Sequence, residues 1–148
     1  KSRMDLHYEI PGDDLAHAGE ASSSVKKILV QLGIDPARIK KAAISMYEAE
    51  INAVIHGGGG SADVTIDADK IVIRIIDSGP GIEDLELAMQ EGYTTASDEI
   101  REMGFGAGMG LPNMKRYADE LDIQTEVGRG TVVTIVVYFH QQEAKHQQ

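Results

Sequence analysis

The segment from Pro36 to His56 constrains the fold more than any other part of this chain. Past Ala42 its apolar residues, among them Ile44, Ile51, Ala53, Val54 and Ile55, cover more than one face of a helix. A helix of that kind has to be largely buried. Asp35-Pro36 has the form of an N-cap followed by proline at the first helical position, and the four glycines Gly57 to Gly60 stop the run. The spacing predicts one helix, from about Pro36 to His56, inside the core of one domain. A length of 148 residues suits a single domain. With aromatics at 5% and no Trp, that core has to be built from Ile, Val, Leu, Ala and Met.

Strands and shorter helices surround this element. Met4, Leu6, Tyr8 and Ile10 alternate with polar residues, predicting a first strand closed by Pro11-Gly12. Asp13 and Asp14 stand in cap position. Leu15, Ala18, Val25, Ile28, Leu29 and Leu32 then recur at helical spacing up to Gly33, predicting one continuous helix. Val64 and Ile66 mark a short strand. Ile71 to Ile76 is nearly all apolar and β-branched, predicting a central strand that ends at Asp77. A short helix is expected around Asp84 to Gln90, a glycine-rich polar loop over 91–110, and a helix from Leu111 to Leu121. Ile123 to Val127, the turn Gly128-Arg129-Gly130 and Thr131 to Phe139 predict a terminal hairpin. The polar tail is expected to be disordered, which sets the domain at residues 1–139 and leaves 140–148 outside it. The fold class is α+β: a two-layer sandwich of a mixed, mostly antiparallel sheet with helices on one face.

Charge and composition exclude several functions. A net charge of −10 argues against non-specific nucleic-acid binding and against anchoring on an anionic membrane. No apolar run is long enough to span a bilayer. The absence of cysteine removes disulfides, thiolate metal sites and cysteine nucleophiles, and fits a reducing cytoplasm. A soluble cytoplasmic protein is the expectation.

Glu48, Asn52 and His56 are spaced by four and share one stripe of the long helix. Alone, such a stripe is a solvated face. Inside a buried helix it has to find partners. The carboxylate can act as a base, and the amide oxygen can coordinate Mg²⁺, which prefers oxygen ligands. Glu50 turns to another face and is expected to be solvated. Asp77 heads Asp-Ser-Gly-Pro-Gly, a turn composition in itself. A carboxylate there can accept from an exocyclic amine such as that of adenine, and Gly79 and Gly81 would let a flat ring approach the backbone. Gly104, Gly106, Gly108 and Gly110 alternate with Phe105, Ala107 and Met109 before Leu111-Pro112. Alternating glycines expose consecutive N–H groups suited to phosphates, and a helix N-terminus follows at once. Neither a Walker loop nor a dinucleotide fingerprint is present. Thr131, after Gly130, starts the last strand, where its hydroxyl could support Asp77 or a water at the base.

In order, Glu48-Ala-Glu-Ile-Asn52 with His56, Asp77-Ser-Gly-Pro-Gly81, Gly104 to Leu111 and Gly130-Thr131 resemble the GHKL (Bergerat-fold) ATPases and kinases. The resemblance runs from the first strand to Phe139. Asp77 to Thr95 and Gly108 to Arg116 are most similar to the bacterial serine kinases of the anti-sigma and stress-switch type. That resemblance implies Mg²⁺-ATP as the cofactor. It implies Glu48 as general base, Asn52 as Mg²⁺ ligand, and Asp77 as reader of adenine. His56, Gly79, Gly81, Gly104, Gly106, Gly108, Met109, Gly110, Leu111 and Thr131 complete the expected nucleotide site. It also implies a small antagonist protein carrying the acceptor serine, with a sigma factor and a second copy of the chain as further candidate partners. The stretch from Ala96 to Met103 departs from the pattern by lengthening the loop.

Three functions compete. A protein serine kinase needs the base that Glu48 offers. A nucleotide-gated binding module would hold ATP and a partner without that need. The catalytic domain of a sensor histidine kinase fits less well, since His7 and His17 lie outside any phosphoacceptor setting.

Overall fold

The computed structural model describes residues 3–13, 15–90 and 110–140. Residues 1–2, Asp14, residues 91–109, where the glycine-rich loop with Gly104, Gly106, Gly108 and Met109 is expected, and residues 141–148 lie outside the described residues. The elements are β1 (Met4–Pro11), a single 3₁₀ turn (Leu15–His17), α1 (Glu20–Gln31), α2 (Pro36–Gly57), β2 (Gly59–Ile66), β3 (Lys70–Asp77), α3 (Leu85–Ala88), α4 (Gly110–Tyr117), β4 (Glu120–Glu126) and β5 (Gly130–Tyr138). The five strands form one sheet in the order β1-β2-β3-β5-β4. All four neighbour pairings are antiparallel.

The expected long helix is α2, 22 residues ending where the glycines begin. Pro36 occupies its first turn, and Gly58, at φ 72°, ends it. Asp35 caps through its backbone carbonyl, which accepts from Arg38 and Ile39, and not through its side chain. Ile39, Ala42, Met46, Ala49, Ala53 and Val54 bury one side of α2 in the core. They meet the inward face of the sheet, where Ile71, Ile73 and Ile75 of β3 and Val133, Ile135 and Val137 of β5 are buried. β3 is central as predicted, and the period of two shows through its apolar run: Val72 and Ile76 are half-buried on the other face and Arg74 is exposed. Asp119 ties α2 to the hairpin by accepting from Lys41 Nζ and, at 2.7 Å, from the Tyr138 backbone N–H.

Four boundaries differ from the sequence reading. The helix expected from Leu15 to Leu32 is broken. A 3₁₀ turn ends at His17, Gly19 takes φ 100°, and α1 begins at Glu20, so neither Asp13 nor Asp14 heads it. The strand expected at Val64 and Ile66 begins at Gly59, because two of the helix-stopping glycines also start β2. There, a Cβ at Gly60 would stand 1.9 Å from the Ile76 carbonyl oxygen, so only glycine lets the two backbones meet. The helix expected to reach Leu121 stops at Tyr117, because Leu121 pairs with Ile135 in the hairpin. His140, assigned to the tail, lies with its ring Nε2 3.2 Å from the Ala68 carbonyl oxygen.

Candidate nucleotide site

The site forms where the C-terminal half of α2 meets the ends of β3 and α4. Glu48 and Asn52 lie on successive turns of α2, and both are half-buried. α4 starts against them: a Cβ at Gly110 would stand 3.7 Å from Glu48 Oε1 and 3.9 Å from Asn52 Oδ1. One turn along α4, Asn113 donates from Nδ2 to Glu48 Oε2 at 3.2 Å. Burial pushes the Glu48 carboxyl above its ordinary value, and the Asn113 bond pulls partly back. Leu111 and Met114, both buried, anchor α4 in the core on either side of this contact.

Asp77 lies at the other end of the stripe. Its strand sits between β2 and β5, with Asp77 opposite Gly60 on one side and Thr131 on the other. Asp77 Oδ1 accepts from the Gly79 N–H at 2.9 Å. The backbone of Gly57 lies flat against the carboxyl: a Cβ there would stand 2.5 Å from Asp77 Cγ. Gly79 packs on Gly57 in turn, 2.7 Å from its Cα by the same measure. Burial lowers the His56 pKa, and the nearby Asp77 charge pulls partly back. Glycine is thus required wherever the end of α2, Asp77 and the following loop touch.

The remaining expected residues make contacts within the fold. Gly81, at φ 82°, packs against the Glu126 carbonyl of the hairpin. The Thr131 hydroxyl is 2.9 Å from that of Thr125. Thr125 Oγ1 accepts from the Ile82 N–H at 2.8 Å, so the two threonines hold the loop after Asp77 onto the hairpin. Leu111 is only 6% exposed and faces the core. Gly104, Gly106, Gly108 and Met109 are outside the described residues.

The solvated role expected for Glu50 is wrong. This residue is 3% exposed, and its carboxylate accepts from the backbone N–H groups of Gly19, Ala21 and Ser22 at 3.0–3.1 Å. It does from a neighbouring helix what an N-cap side chain does locally, satisfying the orphan donors that start α1. Sequence reasoning also passed over Asn113 and Thr125. Each acts across more than 40 residues of chain, where no local spacing signals it.

An antiparallel five-stranded sheet under helices, with an acid-amide stripe facing a strand-end aspartate among glycines, defines an ATP-binding domain of the GHKL class. The chain belongs to the histidine kinase-, DNA gyrase B- and HSP90-like ATPase family, whose sequence profile matches residues 40–141. It is 40% identical over 103 residues to an anti-sigma F factor of Thermoanaerobacter sp. (strain X514), covering 66% of this chain and 67% of that protein. It is 36% identical over 147 residues to an anti-sigma F factor of Clostridium beijerinckii, covering 94% and 96%. With the serine/threonine-protein kinase RsbT of Bacillus subtilis it shares 32% over 127 residues, covering 83% and 87%. Among solved structures, the RsbU and RsbW domains of a Mycobacterium tuberculosis protein match with a TM-score of 0.63 at 16% identity, over 94% of this chain and 33% of that one. The SiaB–SiaC complex of Pseudomonas aeruginosa matches at 0.58 and 13% identity, over 89% and 88%. The motif resemblance and the α+β expectation are both borne out. Among the described residues, no helix is long and apolar enough to cross a membrane.

Proposed function

We propose that this chain is an ATP-dependent protein serine kinase of the anti-sigma, partner-switching type, acting on a small antagonist protein. One observation carries this reading: a desolvated carboxylate, Glu48, stands one helical turn from Asn52, and both face the N-terminus of α4 at Gly110. Asp77 holds the adenine amine through the oxygen left by its Gly79 bond, its carboxyl set in place by the close packing of Gly57 and Gly79 against it. Asn52 would hold Mg²⁺ through its amide oxygen, and the ion would supply Lewis-acid neutralisation of the phosphates. Among the described residues no three His, Cys, Asp or Glu side chains gather as a metal cage. This suits an ion that takes most of its oxygens from phosphate and water. The backbone N–H groups at the start of α4 favour the anion.

In the transfer, the serine oxygen forms its bond to the γ-phosphorus as the bond to the bridging oxygen breaks. The electron pair leaves with ADP, and the serine proton passes to Glu48. A groove of about 620 Å³ between α1, α2 and α4, lined by Ser22, Lys26, Ile44, Tyr47, Glu48 and Asn113, gives the acceptor a route to that carboxylate. A sigma factor and a second copy of the chain are further partners in this reading.

The test has two arms. Calorimetry with Mg-ATP and Mg-GTP should show a clear preference for ATP, because guanine has no amine at the position Asp77 would read. Equal affinities would remove Asp77 from its role. Capture from the host lysate on the ATP-loaded chain, followed by [γ-³²P]ATP, should label a small protein on serine. Capture without labelling would favour a nucleotide-gated binding module.

A further inference from the structure

From the α4–α2 contact we infer that Asn113 is the positioning residue for the base, pinning Glu48 by Oε2 so that Oε1 is the atom that receives the serine proton. This rests on the kinase reading above. Asn113 occupies the same face of α4 as Gly110, three residues on. Its neighbours Leu111 and Met114 are 6% and 0% exposed, so the helix that carries it is held by the core. The side chain is short, and its amide nitrogen can only donate. It therefore bonds a carboxylate oxygen and leaves that oxygen less able to take up a proton itself. The bond goes to Oε2 at 3.2 Å. Oε1 is left on the side of Gly110, where a Cβ would stand 3.7 Å from it and 3.9 Å from Asn52 Oδ1. The two oxygens of one carboxylate thus have different tasks, one held by α4 and the other presented where Asn52 and the start of α4 converge. In the transfer, the serine O–H bond breaks and its proton goes to Oε1. The serine oxygen bonds to the γ-phosphorus, and the phosphorus–bridging-oxygen bond breaks with its electrons leaving on ADP.

The experiment uses the full chain, Mg-[γ-³²P]ATP and the protein captured and labelled as described above. Asn113→Ala should lower kcat about tenfold or more, the range for losing a hydrogen bond to a charged group. Asn113→Asp keeps the shape but sets a second carboxylate against Glu48, and should lower kcat further. Asn113→Gln retains the donor and should recover part of the rate. For all three, Mg-ATP affinity and acceptor KM should stay within about twofold of wild type, because the bond acts on the reacting step and not on ground-state binding. An unchanged kcat in Asn113→Ala, with wild type labelling its acceptor, overturns the inference and leaves the kinase reading standing. Equal losses in the three variants, matched by losses of Mg-ATP affinity and melting temperature, assign Asn113 to structure alone and overturn it too. A wild-type chain that labels no captured protein overturns the kinase reading, and this inference with it.

Discussion

Glu48 and Glu50 are two residues apart, carry the same side chain, and meet opposite circumstances. Glu48 is desolvated beside one amide donor, so its carboxyl is pushed up. A group whose folded pKa is raised adds stability below its unfolded pKa and loses that contribution as pH rises through the folded value. At neutral pH the ionised Glu48 therefore costs stability. Glu48→Gln should melt at a higher temperature than wild type at pH 7, and this gain should vanish below the ordinary carboxyl range. The same variant should keep Mg-ATP affinity while losing phosphotransfer about 10²–10⁴-fold, the usual worth of general-base assistance. Thermal melts at two pH values and a transfer assay check both halves; a variant that transfers at the wild-type rate would show that Glu48 is not the base. Glu50 has the reverse role. Glu50→Ala would strip the acceptor from three backbone N–H groups and should cost about 2–4 kcal/mol. Urea denaturation measures it, and a loss under about 1 kcal/mol would mean that the start of α1 relaxes onto water.

At the scale of elements, the close meeting of the end of α2 with the end of β3 shapes the proposed adenine side of the site. Gly57 has no positive φ, so alanine is allowed by its backbone and is favoured by helix propensity by about 1 kcal/mol. The contact opposes this, since the new methyl would sit 2.5 Å from Asp77 Cγ. The methyl has to displace the carboxyl, because the facing atoms belong to a strand paired on both sides. Gly57→Ala should therefore weaken Mg-ATP binding by on the order of 2 kcal/mol, about thirtyfold in Kd, as Asp77→Asn should. Isothermal titration of both variants tests this. Wild-type affinity in Gly57→Ala would show that the carboxyl has room to move, or that it does not read the purine.

For the whole molecule, strand order sets where the fold is strongest. β3 and β5 are paired on both sides, and their inward residues Ile71, Ile73, Ile135 and Val137 are 0% exposed. β1 and β4 are edges, with inward residues such as Leu6, Tyr8, Leu121 and Ile123 only half-buried. Amides of β3 and β5 should exchange with solvent slowest, near the rate of global unfolding, and those of β1 and β4 faster. Hydrogen exchange read by mass spectrometry checks the order. Protection in β1 equal to that in β3 would indicate that another surface covers this edge, such as a second copy of the chain.

By itself, the sequence determined what local rules encode. The ends of α2 followed from Asp35-Pro36 and the glycine run, the place of β3 from its β-branched residues, and the final hairpin from Gly128-Arg129-Gly130. The stripe of Glu48, Asn52 and His56 and the aspartate at the strand end were legible too, because helical spacing and turn composition are properties of neighbouring residues. Only the tertiary structure decided what each side chain meets. Glu50 looked solvated because its partners, the N–H groups opening α1, lie about 30 residues earlier. The break at Gly19 was hidden because apolar spacing runs through it, while a carboxylate from another helix makes a new start possible there. Gly59 and Gly60 read as a stop, and their value to β2 appears only when the Ile76 backbone lies against them. Asn113 carries no motif of its own. Its meaning comes from α4 packing on α2, which brings together groups that are 65 residues apart in the chain and one hydrogen bond apart in the fold.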